Sequence, residues 1–206
     1  MSNRKKADEP QQVSNKEEQI LVELMESTLA VDGDVVELGC YRGDTSVLFE
    51  RALEKYNRET GAAKRLWIYD SFEGLPAKTK EDASVAGDQF QAGELLVTKR
   101  EVIEKFKRSG LFVPRIKKGF FENLDPVADI PEKICFGFLD GDLYGSIKTS
   151  LKLTDKNISK GSILVIHDYN NPELPGVTKA VSEWLQNNRG KIVAFEKRET
   201  LAILKF

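Results

Sequence analysis

The run Val35-Val36-Glu37-Leu38-Gly39-Cys40-Tyr41-Arg42-Gly43-Asp44-Thr45-Ser46 constrains this chain more than any other stretch. An apolar strand carries one acid and runs into two glycines, and a helix start follows. Glycine lets the backbone turn tightly and approach a ligand closely. A second apolar strand, Leu66-Trp67-Ile68-Tyr69, ends in Asp70. Together they read as the opening of a nucleoside-binding α/β domain. An acid at the end of the second strand is placed to hydrogen-bond a ribose diol. Gly39 and Gly43 do not make the dinucleotide pattern Gly-x-Gly-x-x-Gly. Their spacing suits S-adenosylmethionine, which has no pyrophosphate to cradle, better than NAD.

The rest of the chain alternates in the same way. Residues 1–13 read as a disordered tail and residues 14–206 as one domain. Ser14 and Glu17 form a capping-box pattern ahead of Ile20, Leu21, Leu24, Met25 and Leu29, which predicts an amphipathic helix. Strands are expected at 34–38, 65–69, 115–118, 135–139 and 162–166. The helices between them fall at 45–56, 98–108 and 147–153. Val47, Leu48, Arg51, Ala52 and Tyr56 lie along one side of the first of these. A helix at 178–187 and a hairpin at 191–206 close the chain. Alternating strand and helix argue a parallel sheet covered on both faces. The closing hairpin fits the three-layer, Rossmann-like seven-stranded methyltransferase sheet, mostly parallel with antiparallel strands at its C-terminal end. The stretch 71–93 has no period, and so long an irregular segment inside a domain is usually functional or disordered.

Charge and cysteine content narrow the partners. A net charge of −2 gives no reason to expect nucleic acid. No apolar run approaches the roughly 20 residues that span a bilayer. The polar first residues lack the apolar core of a secretory signal, and a cytoplasmic location is expected. Cys40 and Cys135 are then reduced.

In open α/β sheets ligands bind beyond the carboxyl ends of the strands. Every expected parallel strand here ends in or near polar groups: Glu37 with the glycine loop, Asp70, Gly119-Phe120-Phe121-Glu122, Asp140-Gly141-Asp142, and His167-Asp168. Phe120 and Phe121 read equally as core or as a wall against an adenine ring. Glu122 reads equally as a solvated loop acid, and Asp142 as a cap on the helix after it. His167 is the sole histidine, set between five apolar residues and an acid. Oxygen-rich clusters suit Mg²⁺, Mn²⁺ or Ca²⁺. Imidazole suits softer metals, or serves as a base near neutral pH.

At these residues the chain resembles the macrocin O-methyltransferase family. The resemblance rests on Glu37-x-Gly-x-x-x-Gly, Asp70-Ser71-Phe72-Glu73-Gly74-Leu75-Pro76, Leu139-Asp140-Gly141-Asp142-Leu143-Tyr144, His167-Asp168-Tyr169 and Pro175-Gly176-Val177-Thr178. It extends from about Val35 to Trp184, and Asp88 to Leu95 resembles the family's mobile segment. It implies an S-adenosylmethionine-dependent enzyme that methylates a hydroxyl of a sugar or another small natural product. It also implies a divalent metal, Mg²⁺ or Mn²⁺, and self-association into dimers or larger assemblies. The cofactor residues it implies are Glu37, Gly39, Cys40, Tyr41, Gly43, Thr45, Ser46, Asp70, Ser71 and Phe72. Gly119, Phe120, Phe121, Glu122 and Asp140 join them from the other strand ends. Asp140, His167 and Asp168 are the implied metal ligands, with Asp140 and His167 catalytic.

Family members carry two acids after the fifth strand, where this chain has His167 then Asp168. Three readings stay open: a metal site with one nitrogen ligand, a site for Mn²⁺ or another transition metal, or a metal-independent enzyme with His167 as base. The N-terminus is short for the family, which implies a reduced substrate lid. A module that binds S-adenosylmethionine without chemistry is the alternative from another class, and the cluster of polar groups argues against it.

Overall fold

A computed structural model describes residues 12–206. The expected tail falls almost wholly outside the described residues. Of its last two positions, Val13 is buried in the core and Gln12 lines a cavity described below.

Helix α1 (Asn15–Thr28) begins at Ser14, whose side chain accepts from the Glu17 amide while the Glu17 carboxylate takes the Ser14 amide and hydroxyl. The capping box read from the sequence is present. Then come β1 (Asp34–Leu38), α2 (Asp44–Thr60), β2 (Leu66–Asp70), α3 (Lys99–Arg108), β3 (Arg115–Lys118), β4 (Ile134–Leu139), α4 (Tyr144–Thr154), β5 (Ile158–Ile166), α5 (Pro175–Asn188), β6 (Ala194–Arg198) and β7 (Leu201–Lys205). They form one seven-stranded sheet in the order β3-β2-β1-β4-β5-β7-β6. β1 to β5 run parallel, and β7 is antiparallel to both β5 and β6. The expected fold is the observed one.

Two apolar cores cover the two faces of the sheet. One packs α1, α2 and α3 beneath Phe136, Phe138 and Val165; the other packs α4 and α5 against Val36, Leu164 and Leu204. Phe49 of α2 meets Phe136 and Phe138 edge-on, with centroids 5.6 and 6.0 Å away. That contact corrects the expected face of α2. Val47 is buried as anticipated, but the residues beside it are Phe49 and Leu53, while Leu48 and Ala52 are only partly covered. The inward face also carries Glu50, whose Oε2 is buried without a hydrogen-bond partner. Burial raises its carboxyl to about 7. A charged residue on the buried face hid the true stripe.

Both cysteines are free and buried. Among the described residues no helix is long and apolar enough to cross a membrane.

Candidate active site

The order of the sheet reverses between β1 and β4, so their carboxyl ends open a crevice. Backbone bonds hold the strand tips level. The Gly39 amide donates to Tyr69, Asp140 to Leu38, His167 to Leu139 and Gly119 to Asp70, all between 2.8 and 3.1 Å. The cavity above them is lined by Gly39, Tyr41, Asp70 and Ser71, by Phe120, Phe121 and Glu122, and by Asp140, His167 and Asp168. Sequence reading therefore found ten residues that the fold gathers around one space. Cys40, Gly43, Thr45, Ser46, Phe72, Gly119 and Glu37 do not line it; the contacts described below place several of them in support of those that do. The cavity adds Gln12, Gly74, Leu75, Pro76, Leu95, Gly141, Asp142 and Ser146. Asp142 does not cap the helix after it: the N-cap of α4 is Leu143, and the Asp142 backbone has φ +58°, a conformation L residues rarely adopt. Tyr41, Phe72 and Asp168 share that region of φ. Such clustering accompanies functional sites.

Glu37 is fully buried and accepts hydrogen bonds from the Thr45 and Ser46 hydroxyls. It ties β1 to the first turn of α2 behind the cavity. Burial raises its carboxyl from 4.5 to about 8, against the opposing effect of those hydroxyls. The folded protein then holds a proton that the unfolded chain sheds near pH 4.5. Stability falls as pH rises from there to about 8, and the full penalty stands above it. Glu37→Gln is expected to flatten this loss, because the amide keeps hydrogen bonding to both hydroxyls without ionising. Unfolding midpoints of the ligand-free protein at acidic and alkaline pH would check it; an unchanged pH slope in the variant would refute the assignment.

Asp70 acts first on its own loop. One carboxylate oxygen accepts from the Cys40 and Tyr41 amides at 3.1 and 3.0 Å, and the other from the Phe72 amide at 2.8 Å. It pins the glycine loop to the end of β2. Burial raises its carboxyl, and the three amides oppose the rise. A carboxylate has roughly four acceptor sites, so ribose hydroxyls remain compatible with these bonds.

The irregular stretch 71–97 is folded onto the site. The Leu75 amide donates to Glu94 and the Gly93 amide to Leu75, closing its neck. Farther out, buried Asp82 accepts from Thr79 and from the Tyr144 amide at the start of α4. That contact anchors the stretch beside the Asp140 loop.

At the centre His167 Nδ1 lies 2.9 Å from Asp140 Oδ1 and 3.2 Å from Asp168 Oδ2. The His167 side chain is 5% exposed. Its other nitrogen, Nε2, faces Glu17 Oε1 of α1 at 3.8 Å. Burial alone would lower the pKa of this imidazole. The Asp140 charge, with contacts to Asp140, Asp168 and Glu17, overrides burial and raises it well above the ordinary value. Glu17 is the reciprocal case: the His167 contact, with the Thr200 and Ser14 bonds, holds its carboxyl well below the usual range against the cost of burial. Glu17 carried no functional signal in the sequence beyond its cap.

Three electron-pair donors therefore converge, and their candidate ligand atoms lie within 4.8 Å of one another. Octahedral bonds of 2.0–2.1 Å put neighbouring ligand atoms about 3 Å apart. The 2.9 and 3.2 Å spacings from His167 Nδ1 are hydrogen-bond lengths that also match that edge, and the donor set of Asp140, His167 and Asp168 is of a kind that holds a divalent cation. The donor set, two carboxylates and one imidazole, suits Mn²⁺ and other transition metals as well as Mg²⁺.

The chain superposes on the O-methyltransferase NovP with a TM-score of 0.78 at 23% identity, over 92% of this chain and 79% of that one. It superposes on CalS11, a calicheamicin methyltransferase, with a TM-score of 0.74 at 21% identity, over 93% and 79%. The fold is that of the Rossmann-like methyltransferases.

The family model for macrocin-O-methyltransferase (TylF) matches residues 12–193, and the chain belongs to that family. A tetracenomycin-C 4'-O-methyltransferase of Streptomyces olivaceus, acting on the 8-demethyl-8-(2,3-dimethoxy-alpha-L-rhamnosyl) form, is 34% identical over 70% of this chain and 57% of its own length. The mycinamicin III 3''-O-methyltransferase of Micromonospora griseorubida is 28% identical over 75% and 61%. The chain thus spans less than two thirds of the length of these curated relatives.

Proposed function

We propose that this chain is an S-adenosylmethionine-dependent O-methyltransferase acting on a hydroxyl of a sugar or another small natural product, assisted by a divalent cation. The observation that carries the reading is one cavity in which Asp70 and the glycine loop adjoin Asp140, His167 and Asp168. Family membership supports it.

S-adenosylmethionine supplies the methyl group on a sulfonium. Asp70 accepts hydrogen bonds from the ribose hydroxyls while holding the Gly39–Gly43 loop, which meets the amino-acid end. Phe120 and Phe121 wall the adenine side. Asp140, His167 and Asp168 would hold a divalent cation, whose chemistry there would be to lower the pKa of a neighbouring hydroxyl. Asp140 is the shared element, facing the cofactor on one side and the acceptor on the other, and in-line placement of the two supplies much of the rate. Residues 71–97 cover the site and exclude water.

Both nitrogens of His167 are directed at carboxylates. In the ligand-free protein those acids favour the protonated ring, which disfavours the metal-independent reading with His167 as base.

Calorimetric titration of S-adenosylmethionine into the protein, followed by methyl transfer to a panel of hydroxylated sugars, tests the reading. Asp70→Ala is expected to weaken cofactor binding by about tenfold or more, since hydrogen bonds to a charged group contribute about 1.5–3 kcal/mol. Unchanged affinity would remove Asp70 from the ribose site, and no binding by the folded wild type would overturn the whole reading.

A further inference from the structure

The capping box at the head of α1 reaches farther than a helix cap requires. Glu17 Oε2 serves Ser14, through its amide at 3.0 Å and its hydroxyl at 2.7 Å. Oε1 points the other way, accepting from the Thr200 amide and hydroxyl on the β6–β7 turn and facing His167 Nε2. α3 begins with the same motif, Thr98 with Glu101, and that box sits at the surface. Capping therefore does not explain why Glu17 is buried to 7% exposure against β5.

We propose that Glu17 is the positioning residue of His167, holding the ring so that Nδ1 and not Cδ2 faces Asp140 and Asp168. The inference rests on the metal-assisted reading above for its consequence, but not for its geometry. A carboxylate held by Ser14 and Thr200, 3.8 Å from Nε2, is a fixed negative charge that favours a proton on Nε2 through ion pairing, at a separation longer than a direct hydrogen bond. A half-turn of the ring would present carbon in place of both nitrogens, to Glu17 on one side and to the acids on the other. With a proton favoured on Nε2, Nδ1 is the nitrogen that would release its proton on metal binding and offer its lone pair to the cluster. Carboxylates behind ligating histidines act in this way, and removing them typically weakens metal binding 10- to 100-fold. The site is thereby tied to α1 and to the β6–β7 turn, two elements that donate nothing to the Asp140 cluster directly.

His167 is the only histidine in the chain, so an imidazole nitrogen spectrum of labelled protein reports on this ring alone. The test combines that spectrum, recorded without metal, with calorimetric titration of Mn²⁺ into the S-adenosylmethionine-loaded protein. Glu17→Gln is expected to shift the Nε2 resonance and to lower Mn²⁺ affinity by about 10- to 100-fold, with cofactor affinity unchanged. Glu101→Gln disrupts the corresponding box at the head of α3, away from His167, and is expected to lower stability while leaving the imidazole spectrum and the Mn²⁺ affinity near wild type. An unaltered imidazole spectrum in Glu17→Gln would overturn the proposal, as would Glu101→Gln reproducing the whole effect. A wild type that binds no Mn²⁺ would remove the metal from the proposed function, and the metal-free spectra would still decide the role of Glu17.

Discussion

Asp140→Asn is expected to lose methyl transfer by about 10²- to 10⁴-fold, the range for withdrawing proton-transfer assistance, while cofactor affinity changes little. The substitution keeps the shape of the side chain. The Asp140 amide still donates to Leu38, so β4 stays locked to β1. What disappears is a negative charge 2.9 Å from His167 Nδ1, in the group that also contains Asp168. An amide oxygen is a weaker partner for a cation, and its NH₂ would face other donors if flipped. Each tenfold loss in rate corresponds to about 1.4 kcal/mol in the barrier, so the expected range is about 3–6 kcal/mol. Single-turnover transfer to an accepted sugar, with calorimetry of cofactor binding alongside, separates the two effects. Retention of full activity would take Asp140 out of the chemistry. Loss of cofactor binding in the same proportion would make it a binding residue instead.

The second large effect is expected from Gly39→Ala. Gly39 has φ +94°, and a Cβ there would lie 1.9 Å from the Asp140 carbonyl oxygen and 2.7 Å from its carbon. Neither atom is the end of a flexible side chain, so β1 and β4 would have to part where the crevice opens. The positive φ adds about 1–2 kcal/mol for an L residue. The expected total is above about 3 kcal/mol, among the larger effects of single substitutions, with cofactor binding lost as the loop leaves Asp70. Gly43→Ala is the internal comparison. Its Cβ would meet the Val102 methyl at 3.3 Å, a contact that a side chain can relieve, although φ is +74°. Denaturant unfolding of both variants would check the order. Equal losses would mean that backbone conformation, and not the approach of Asp140, sets the requirement for glycine.

The two glycines look equivalent in the sequence, and their different roles depend on what the sheet brings beside them. The same holds at Asp70. An acid ending β2 was legible from the strand pattern, but its bonds to the Cys40, Tyr41 and Phe72 amides follow from the pairing of β2 with β1. Glu37 was legible as the first acid of a site. The structure places it behind the cavity, bonded to Thr45 and Ser46.

Local patterning was enough to give the order of strands and helices, the parallel sheet and the polar tip on each strand. These depend on local periodicity and turn chemistry, which neighbouring residues carry between them. It also determined the capping box at Ser14 and Glu17, a contact within a single turn. The buried face of α2 emerges only in the fold, because Phe49 meets Phe136 and Phe138 of β4, partners that lie far along the chain. Only the tertiary structure decided that Glu17 meets Thr200 and His167, since those partners come from the far end of the chain. Local order is encoded by nearest neighbours, whereas a buried charge finds its partner only when the packed sheet removes water from between them.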